Sequence, residues 1–344
     1  MTEITLPARY AGYTWRPYTW DDMEAIAHLI RQEDVQAGLT NYDMSVEEMR
    51  EEYLGDFSFE ESTRLLQAPS GEVIARVEVW DKGEPPVRMF ANWSVLPEHM
   101  GQGLEPVLLN WAENRARQAF HRCPDDTRVV LQCGTVKDYR QKEIPLEAAG
   151  YERARYFYRM KIDMTEEPAP VPLSPDLTIR TFRYPDELEA FCIARRDGFR
   201  DHWGYVDQPL DVMARQYHEW FDNDSLWTPE MCFLAVERDT DEIAAVCNCR
   251  MEEWGDPSVG YVATLFTRPA HRGKGVALAM LRHAFGAFWA RGKRSVALHV
   301  DASSLTGAVR LYEKAGMHVD VVETTYERVL REGRDLMTRT LPTT

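Results

Sequence analysis

The chain has 344 residues, 44% of them hydrophobic and 28% charged, which is the composition of a soluble globular protein long enough for two domains. Lys and Arg total 40 against 56 Asp and Glu, and the net charge of −16 excludes nucleic acid as an expected partner because the surface repels phosphate backbones. No run approaches the roughly 18 apolar residues of a membrane span, and the N-terminus lacks the features of a signal peptide. We therefore expect a cytoplasmic protein without a membrane partner.

The cysteines give no sign of a metal site. The chain has 6 of them, with no CxxC pair and no metal-ligand spacing, so we expect free buried thiols in a reducing compartment and no bound metal. Cys247 and Cys249 flank Asn248, a spacing that indicates alternate residues on one face of a strand.

A proline-rich segment, residues 166–176, divides the chain nearly in half and is predicted to be a semi-rigid linker. It separates a first domain, residues 1–165, from a second, residues 177–344. The two halves also resemble each other. The run from Ser94 to Gly103 corresponds to the run from Phe266 to Gly275, and each carries a Pro followed by a GxG turn. We interpret the chain as a duplicated domain.

The second half gives the clearer order of elements. The patterns predict, in chain order, a strand over 178–182, a helix from about 185, a loop over 199–204, a helix over 210–221, strands over 233–237, 243–251 and 261–267, a helix over 276–291, a strand over 295–300, a helix over 306–315, and closing strands over 318–329 and 336–341. This order implies an α/β (α+β) fold in which helices flank a mixed, mainly antiparallel sheet.

The turn that follows the strand ending at Thr267 is predicted to bind a phosphate. Arg272 to Ala277 opens a helix whose first backbone N–H groups have no partner in the helix, and Gly273 and Gly275 allow a ligand to approach closely. Two cations, Arg272 and Lys274, stand beside these groups in an otherwise acidic molecule. The residue types therefore indicate a site for a phosphate or pyrophosphate.

This strand, turn and helix, followed by AVRLYEKAG at residues 308–316, resembles the GNAT acyltransferase superfamily. The duplication is similar to that of its tandem members, of the mycothiol synthase type. The resemblance covers most of residues 177–341 well and residues 13–163 in outline. It implies acetyl-CoA as the acyl donor and an N-acetyltransferase activity.

The resemblance also assigns residues to roles. The backbone of Leu265 and Thr267 would pair with the pantetheine arm, and Tyr312 would assist the departing CoA sulfur. Ser304 occupies the position of a family Asn that contacts pantetheine. His202 and Trp203 would form part of the acceptor wall. The implied cofactor-binding set is Leu265, Phe266, Thr267, Arg272, Gly273, Lys274, Gly275, Val276, Ala277 and Ser304.

Some alternatives stay open at this point. Tyr312 lies on an apolar helical stripe, so a purely structural role as a core residue remains possible. The sequence does not single out a general base, and the residues that remain possible are Glu252, Glu253, His299 and Asp301. A water chain would leave no mark in the sequence.

The first half keeps the glycines of the turn and loses its charges. Met100 and Gln102 correspond to Arg272 and Lys274, and Glu105 corresponds to Ala277. A carboxylate at this position would itself be attracted to the helix N-terminus and would repel a pyrophosphate. Since Leu146 also replaces Tyr312, we expect one acetyl-CoA site per chain, in the second domain.

The sequence thus predicts transfer of an acetyl group from acetyl-CoA to a primary amine of a small molecule. Acetylation of a protein or peptide amine is the first alternative, and a non-catalytic acyl-CoA-binding regulatory module is the second. The chain is expected to act as a monomer or homodimer.

Overall fold

The computed structural model describes residues 4–39, 43–55, 57–304 and 306–340. The chain forms two compact units. One consists of Met1–Arg155 with Glu323–Leu336, and the other of Tyr156–Val322 with Met337–Thr344. Each unit is therefore built from two separate segments of the chain.

The first unit contains a six-stranded arrangement covered by helices. Five of its strands are β1 (Thr14–Arg16), β2 (Thr63–Gln67), β3 (Val73–Trp80), β4 (Arg88–Val95) and β5 (Val129–Val136), and the sixth comes from the end of the chain. Its helices are α1 (Met23–Gln36), α2 (Val46–Glu52), α3 (Phe59–Ser62), α4 (Glu105–Gln118) and α5 (Arg140–Ala148). Neighbouring strands pair antiparallel from β1 to β4, and β4 pairs parallel with β5.

The second unit repeats this plan. Its elements are, in chain order, β6 (Glu152–Asp163), which begins in the first unit, β7 (Leu177–Thr181), α6 (Leu188–Phe199), α7 (Leu210–Asn223), β8 (Trp227–Glu237), β9 (Ile243–Arg250), β10 (Val259–Thr267), α8 (Val276–Ala290), β11 (Ser295–Asp301), α9 (Ala308–Lys314) and β12 (His318–Arg331). Strands β7 to β10 pair antiparallel and β10 pairs parallel with β11. The expected mixed, mainly antiparallel sheet with flanking helices is confirmed.

Two long strands each pair with a strand from the other half of the chain. The later part of β6 pairs antiparallel with β11 of the second unit, through Phe157 to Asp163. The later part of β12 pairs antiparallel with β5 of the first unit, from Glu323 to Arg331. Each unit therefore takes its sixth strand from the other half, whereas the sequence suggested a division at the proline-rich segment.

The C-terminal segment differs from its prediction. Residues 336–340 form no strand, and Leu341 lies outside the described residues. The backbone of Thr338 instead exchanges hydrogen bonds with the loop after α6, since it accepts from Gly204 N at 2.8 Å and donates to Tyr205 O at 2.9 Å. One such pair fixes the segment to a loop and does not extend a sheet.

The core of the second unit lies on both faces of its sheet. Helix α8 packs on one face, where Cys247 and Cys249 both point and their Sγ atoms are 3.8 Å apart, as the alternation of residues predicted. Helices α6 and α7 cover the other face, around Phe191 and Phe221. Within the described ranges, no helix is long and apolar enough to span a bilayer.

Candidate active site

The candidate site begins where β10 and β11 separate. The two strands pair only from Val259 to Tyr261, whereas β10 remains paired with β9 as far as Thr267. The register between β10 and β9 shifts between Val262 and Thr264, which marks a bulge. Beyond the bulge, one edge of β10 has left its partner strand, so the backbone around Leu265 can pair with an extended ligand.

The turn after β10 has the conformation that its glycines suggested. Gly273 and Gly275 have φ values of 74° and 78°, a region that L side chains rarely adopt, and an added Cβ at either would meet nothing within 4 Å. Helix α8 then starts at Val276 with no side-chain cap. Its first N–H groups are therefore available to an anion, and Lys274 is exposed beside them.

A cavity of about 310 Å³ joins this turn to the residues around α9. The turn contributes Gly273, Gly275, Val276 and Ala277, and the edge of β10 contributes Leu265, Phe266 and Thr267. Tyr312 of α9 lines the same cavity. Most of the side chains and glycines to which the resemblance assigned roles thus border one space.

Tyr312 is buried, and burial raises the pKa of its hydroxyl, with Cys247 nearby as a smaller cause. The hydroxyl therefore stays protonated at neutral pH. A thiol has a pKa of about 8.5, so proton transfer from this tyrosine to a thiolate is unfavourable. The chemistry favours a hydrogen bond from Tyr312 to a thiolate over full proton donation.

Arg272 makes several contacts with the protein. Its Nε donates to Thr267 O at 3.0 Å, its Nη2 donates to Gly198 O at 2.9 Å, and both terminal nitrogens bind the carboxylate of Asp201. Burial acts to raise the pKa of Asp201, but the hydrogen bonds and charge of Arg272 outweigh it and lower the pKa. The guanidinium thus fastens the loop after α6 to the end of β10.

The two residues expected in the acceptor wall have different positions. His202 lines the cavity, and its ring centroid is 4.5 Å from that of Phe199. Burial lowers the pKa of His202, so the imidazole is neutral at pH 7. Trp203 instead packs edge-on against Phe157 at 6.3 Å and beneath the guanidinium of Arg339 at 5.2 Å.

Ser304 lies just before α9, and its role there is local. Its Oγ accepts from Ala308 N at 3.4 Å and from Thr306 N at 3.4 Å. Thr306, Gly307 and Ala308 line the cavity, so Ser304 contacts the residues that form this part of the wall.

Three of the four candidate bases make ion pairs or hydrogen bonds within the protein, so a structural role accounts for their carboxylates. Glu253 is buried against Arg159, Glu252 accepts from Lys293 Nζ at 3.1 Å, and Asp301 accepts from Ser303 N at 2.9 Å. His299 differs from them, because its Nδ1 lies 2.9 Å from the hydroxyl of Tyr261, the last residue of β10 that pairs with β11. This pair lies directly beside the point where the strands separate.

The chain also resembles known proteins. Residues 168–317 match the model of the acetyltransferase (GNAT) family. A mycothiol acetyltransferase from Thermobispora bispora is 30% identical over 181 residues, which cover 52% of this chain and 59% of that protein. A crystal structure of a GCN5-related N-acetyltransferase from Sphaerobacter thermophilus is 29% identical, with a TM-score of 0.81 over 98% of this chain and 100% of that one. Residues 168–317 of the chain therefore resemble a GNAT acetyltransferase domain.

A second solved structure supports the tandem arrangement. A tandem GNAT protein from the clavulanic acid biosynthesis pathway covers 93% of this chain and 99% of its own, with a TM-score of 0.66 and 12% identity. This likeness concerns the fold alone. The expected resemblance to the GNAT superfamily, and to its tandem, mycothiol synthase-like members, is confirmed.

The turn of the first GNAT-like unit is occupied by the protein itself. Glu105 is buried, and its Oε1 accepts from Gly101 N. Gln102 accepts from Arg9 Nη1, and a Cβ added to Gly103 would lie 3.4 Å from Pro7 Cγ. An internal carboxylate thus binds where a phosphate would be expected, and the N-terminal segment packs beside it.

Sequence analysis missed two residues of the second GNAT unit. Asp201 is the partner of Arg272. Gly198 accepts a hydrogen bond from Arg272 through its carbonyl, and it also leaves space for Phe266. A side chain at position 198 would place its Cβ 2.5 Å from a carbon of the Phe266 ring. The sequence signal for Gly198 was its position in the last turn of α6, because a glycine inside a helix often marks a place where another residue packs closely against the backbone.

Proposed function

We propose that the chain is an N-acetyltransferase that moves the acetyl group of acetyl-CoA to a primary amine of a small molecule, with its site in the second unit. The observation that carries the proposal is the single cavity that borders the uncapped start of α8, the separated edge of β10 and Tyr312. The match of residues 168–317 to the GNAT family model supports acetyl transfer, and the names of the similar mycothiol acetyltransferases agree with a small-molecule acceptor.

The cavity suits the donor substrate in two ways. The N–H groups of Gly273 to Ala277 bind the pyrophosphate, with the charge of Lys274 beside them. The backbone of Leu265 and Thr267 pairs with the pantetheine arm as an added strand. Arg272 acts indirectly in this proposal, because its contacts with Asp201, Gly198 and Thr267 hold the cavity wall in place.

The reaction is a direct attack. The lone pair of the neutral amine forms a bond to the thioester carbon, the C–S bond breaks, and the sulfur leaves as a thiolate. The proton that the amine nitrogen releases passes to water. A backbone N–H near Leu265 stabilises the charge on the carbonyl oxygen. Tyr312 donates a hydrogen bond to the thiolate, the role that its raised pKa favours.

The first unit has a structural role in this proposal. Glu105 neutralises the helix start that would otherwise attract a phosphate, and the buried Leu146 stands at the position of Tyr312. Neither a binding turn nor a hydrogen-bond donor remains for the donor substrate.

Thiol release from acetyl-CoA tests the proposal. The purified chain is offered small primary amines, peptides with free N-termini and lysine-bearing peptides, and free CoA thiol is measured over time. Release with small amines at rates well above those with peptides is expected. Preference for peptides would favour the protein-acetylating alternative, and acetyl-CoA binding without release in any mixture would favour a non-catalytic module.

A further inference from the structure

Arg195 on α6 lies over two aromatic rings. Its guanidinium carbon lies 4.9 Å from the ring centre of Phe199 and 5.2 Å from that of Tyr217. Its Nε is buried without a hydrogen-bond partner, and among the residues that the structure describes no carboxylate pairs with it. The charge is held by two aromatic rings in a protein whose net charge is −16.

The absence of a carboxylate partner is significant because carboxylates are abundant here. The neighbouring Arg196 binds Asp207, with Nε 2.7 Å from Oδ1. A partly buried guanidinium normally acquires such a partner, since an unpaired buried donor is costly. Among the described residues, no carboxylate therefore compensates the charge of Arg195 on this helix.

Contacts connect Arg195 to the candidate site. Phe199 packs against Phe266 at 5.5 Å and against His202 at 4.5 Å, and both of these residues line the cavity. Burial raises the pKa of the Tyr217 hydroxyl, and the nearby side chains of Arg195 and of Thr264, the residue before Leu265, act to lower it. Arg195 thus lies on the α6–α7 face of the sheet, close to the separated edge of β10.

This face is opposite to that of Tyr312. Leu265 and Tyr312 belong with the core on the α8 side, whereas Phe266 and α6 belong with the core on the other side. If the thiolate leaves towards Tyr312, the amine approaches from the α6–α7 side, where Arg195 lies. This step rests on the proposed function.

A second unpaired donor lies on the same face. Asn248 is fully buried and stands opposite Thr264 in the pairing of β9 with β10. Its Oδ1 accepts from Trp227 Nε1 at 2.7 Å, which directs the amide, and its Nδ2 has no hydrogen-bond partner. Arg195 Nε and Asn248 Nδ2 thus both lie on the α6–α7 side without a hydrogen-bond partner among the described residues, a pattern expected where a ligand supplies oxygen atoms.

We propose that the acceptor is a primary amine that also carries a carboxylate, and that Arg195 binds this carboxylate with Asn248 as an additional donor. A guanidinium matches the two oxygens of a planar carboxylate, and its aromatic neighbours keep it oriented. One cation in an acidic protein suits a monoanion better than a phosphate dianion. A lysine side chain within a basic peptide lacks this group and would be repelled.

The test compares acids with their amides. Glycine, β-alanine, 4-aminobutyrate and 5-aminovalerate place the carboxylate at increasing distances from the amine, and the matching amides lack the charge. Wild type is expected to prefer the acid at one or two of these lengths. Because a hydrogen bond to a charged group is worth a factor of about 10–100, Arg195→Gln should lower kcat/KM for that acid by about this factor and leave the amide nearly unchanged.

Two further variants control for folding. Arg195→Lys keeps the charge and loses the planar fork, so it should retain part of the preference. Arg196→Gln removes an adjacent arginine that is already paired with Asp207, so the preference for the acid should persist. Equal effects of Arg195→Gln on acid and amide, or a wild-type enzyme with no acid preference at any length, would overturn the inference while leaving acetyl transfer intact.

A binding measurement separates this inference from the proposed activity. With CoA present, the melting temperature of wild type is measured with each acid and amide, and the acid that fits should stabilise wild type but not Arg195→Gln. If no amine releases thiol, the proposed activity fails, and this comparison still decides whether Arg195 binds a carboxylate. Equal stabilisation by acid and amide would overturn the carboxylate site.

Discussion

Arg272 binds Asp201 through both terminal nitrogens of its guanidinium, and the two residues lie 71 positions apart in the chain. The same guanidinium donates to Gly198 O and Thr267 O. One side chain therefore connects the end of α6, the loop that carries His202, and the last residue of β10. The wall of the cavity on the α6 side depends on this connection.

A double-mutant cycle measures the strength of this pair. Arg272→Gln, Asp201→Asn and the combined variant are unfolded with urea. Because Asp201 is largely buried and Arg272 partly exposed, we expect a coupling of about 1–2 kcal/mol, between the values of surface and buried pairs. The single variant Arg272→Gln should be the least stable, since it leaves the Asp201 carboxylate without its cation. A coupling near zero would contradict the role of the pair.

Removal of the Tyr312 hydroxyl should affect the reaction more than binding. Tyr312→Phe keeps the ring that fills the wall of the cavity and removes the hydrogen bond to the thiolate. We expect kcat to fall by about 10–100-fold, the value of a hydrogen bond to a charged group, with little change in the Kd for acetyl-CoA. Single-turnover kinetics and calorimetry measure the two quantities. A variant with unchanged kcat would leave Tyr312 as a core residue.

Two glycines provide a matched test of the binding turn. Gly275 and Gly103 both have positive φ, at 78° and 90°, so alanine strains the backbone at either position by about 1 kcal/mol. Only Gly275 belongs to the turn proposed to bind acetyl-CoA. We expect Gly275→Ala to weaken acetyl-CoA binding at least tenfold and Gly103→Ala to leave it unchanged.

Calorimetry on the unmodified chain provides the reference, with one acetyl-CoA expected per chain. Two comparable sites would contradict the assignment of a self-occupied turn around Glu105. Weaker binding in Gly103→Ala would also contradict it, because that substitution lies in the first unit.

The parts of the candidate site that are local in sequence could be predicted, and the contacts that depend on distant partners could not. The GxG turn, the start of α8 and the tyrosine on α9 each follow from residues within one short segment. The pairing of Arg272 with Asp201 was not predictable, because a cation beside a phosphate turn has the same sequence whether it binds a ligand or a carboxylate from another loop.

The pairing of β12 with β5, and of β6 with β11, could likewise not be predicted from local sequence. The alternation of residues in β12 predicts a strand with two faces, but it does not specify the neighbouring strand. The parallel pairs in the two units are each limited to three residue pairs, between Arg88–Phe90 and Val130–Gln132 and between Val259–Tyr261 and Ser295–Ala297. This shared geometry agrees with the duplication predicted from sequence.

His202 should make stability depend on pH. Burial lowers its pKa in the folded protein, whereas in the unfolded chain the value is about 6.5. Below about pH 6.5 the unfolded state therefore binds more protons at this position, and stability is lost as the pH falls. Above that pH both states are neutral here, so His202 contributes no pH dependence.

The measurement is the difference in melting temperature between pH 7.5 and pH 5.0, for wild type and for His202→Gln. We expect the variant to lose about 1–3 °C less than wild type over this interval, because glutamine has no proton to bind and 1 kcal/mol corresponds to a few degrees in a unit of this size. His121→Gln, at an exposed position in the first unit, serves as the matched control and should follow wild type. An identical pH dependence in all three proteins would show that His202 is protonated equally in the folded and unfolded states. Its position in the cavity wall would then have no consequence for titration.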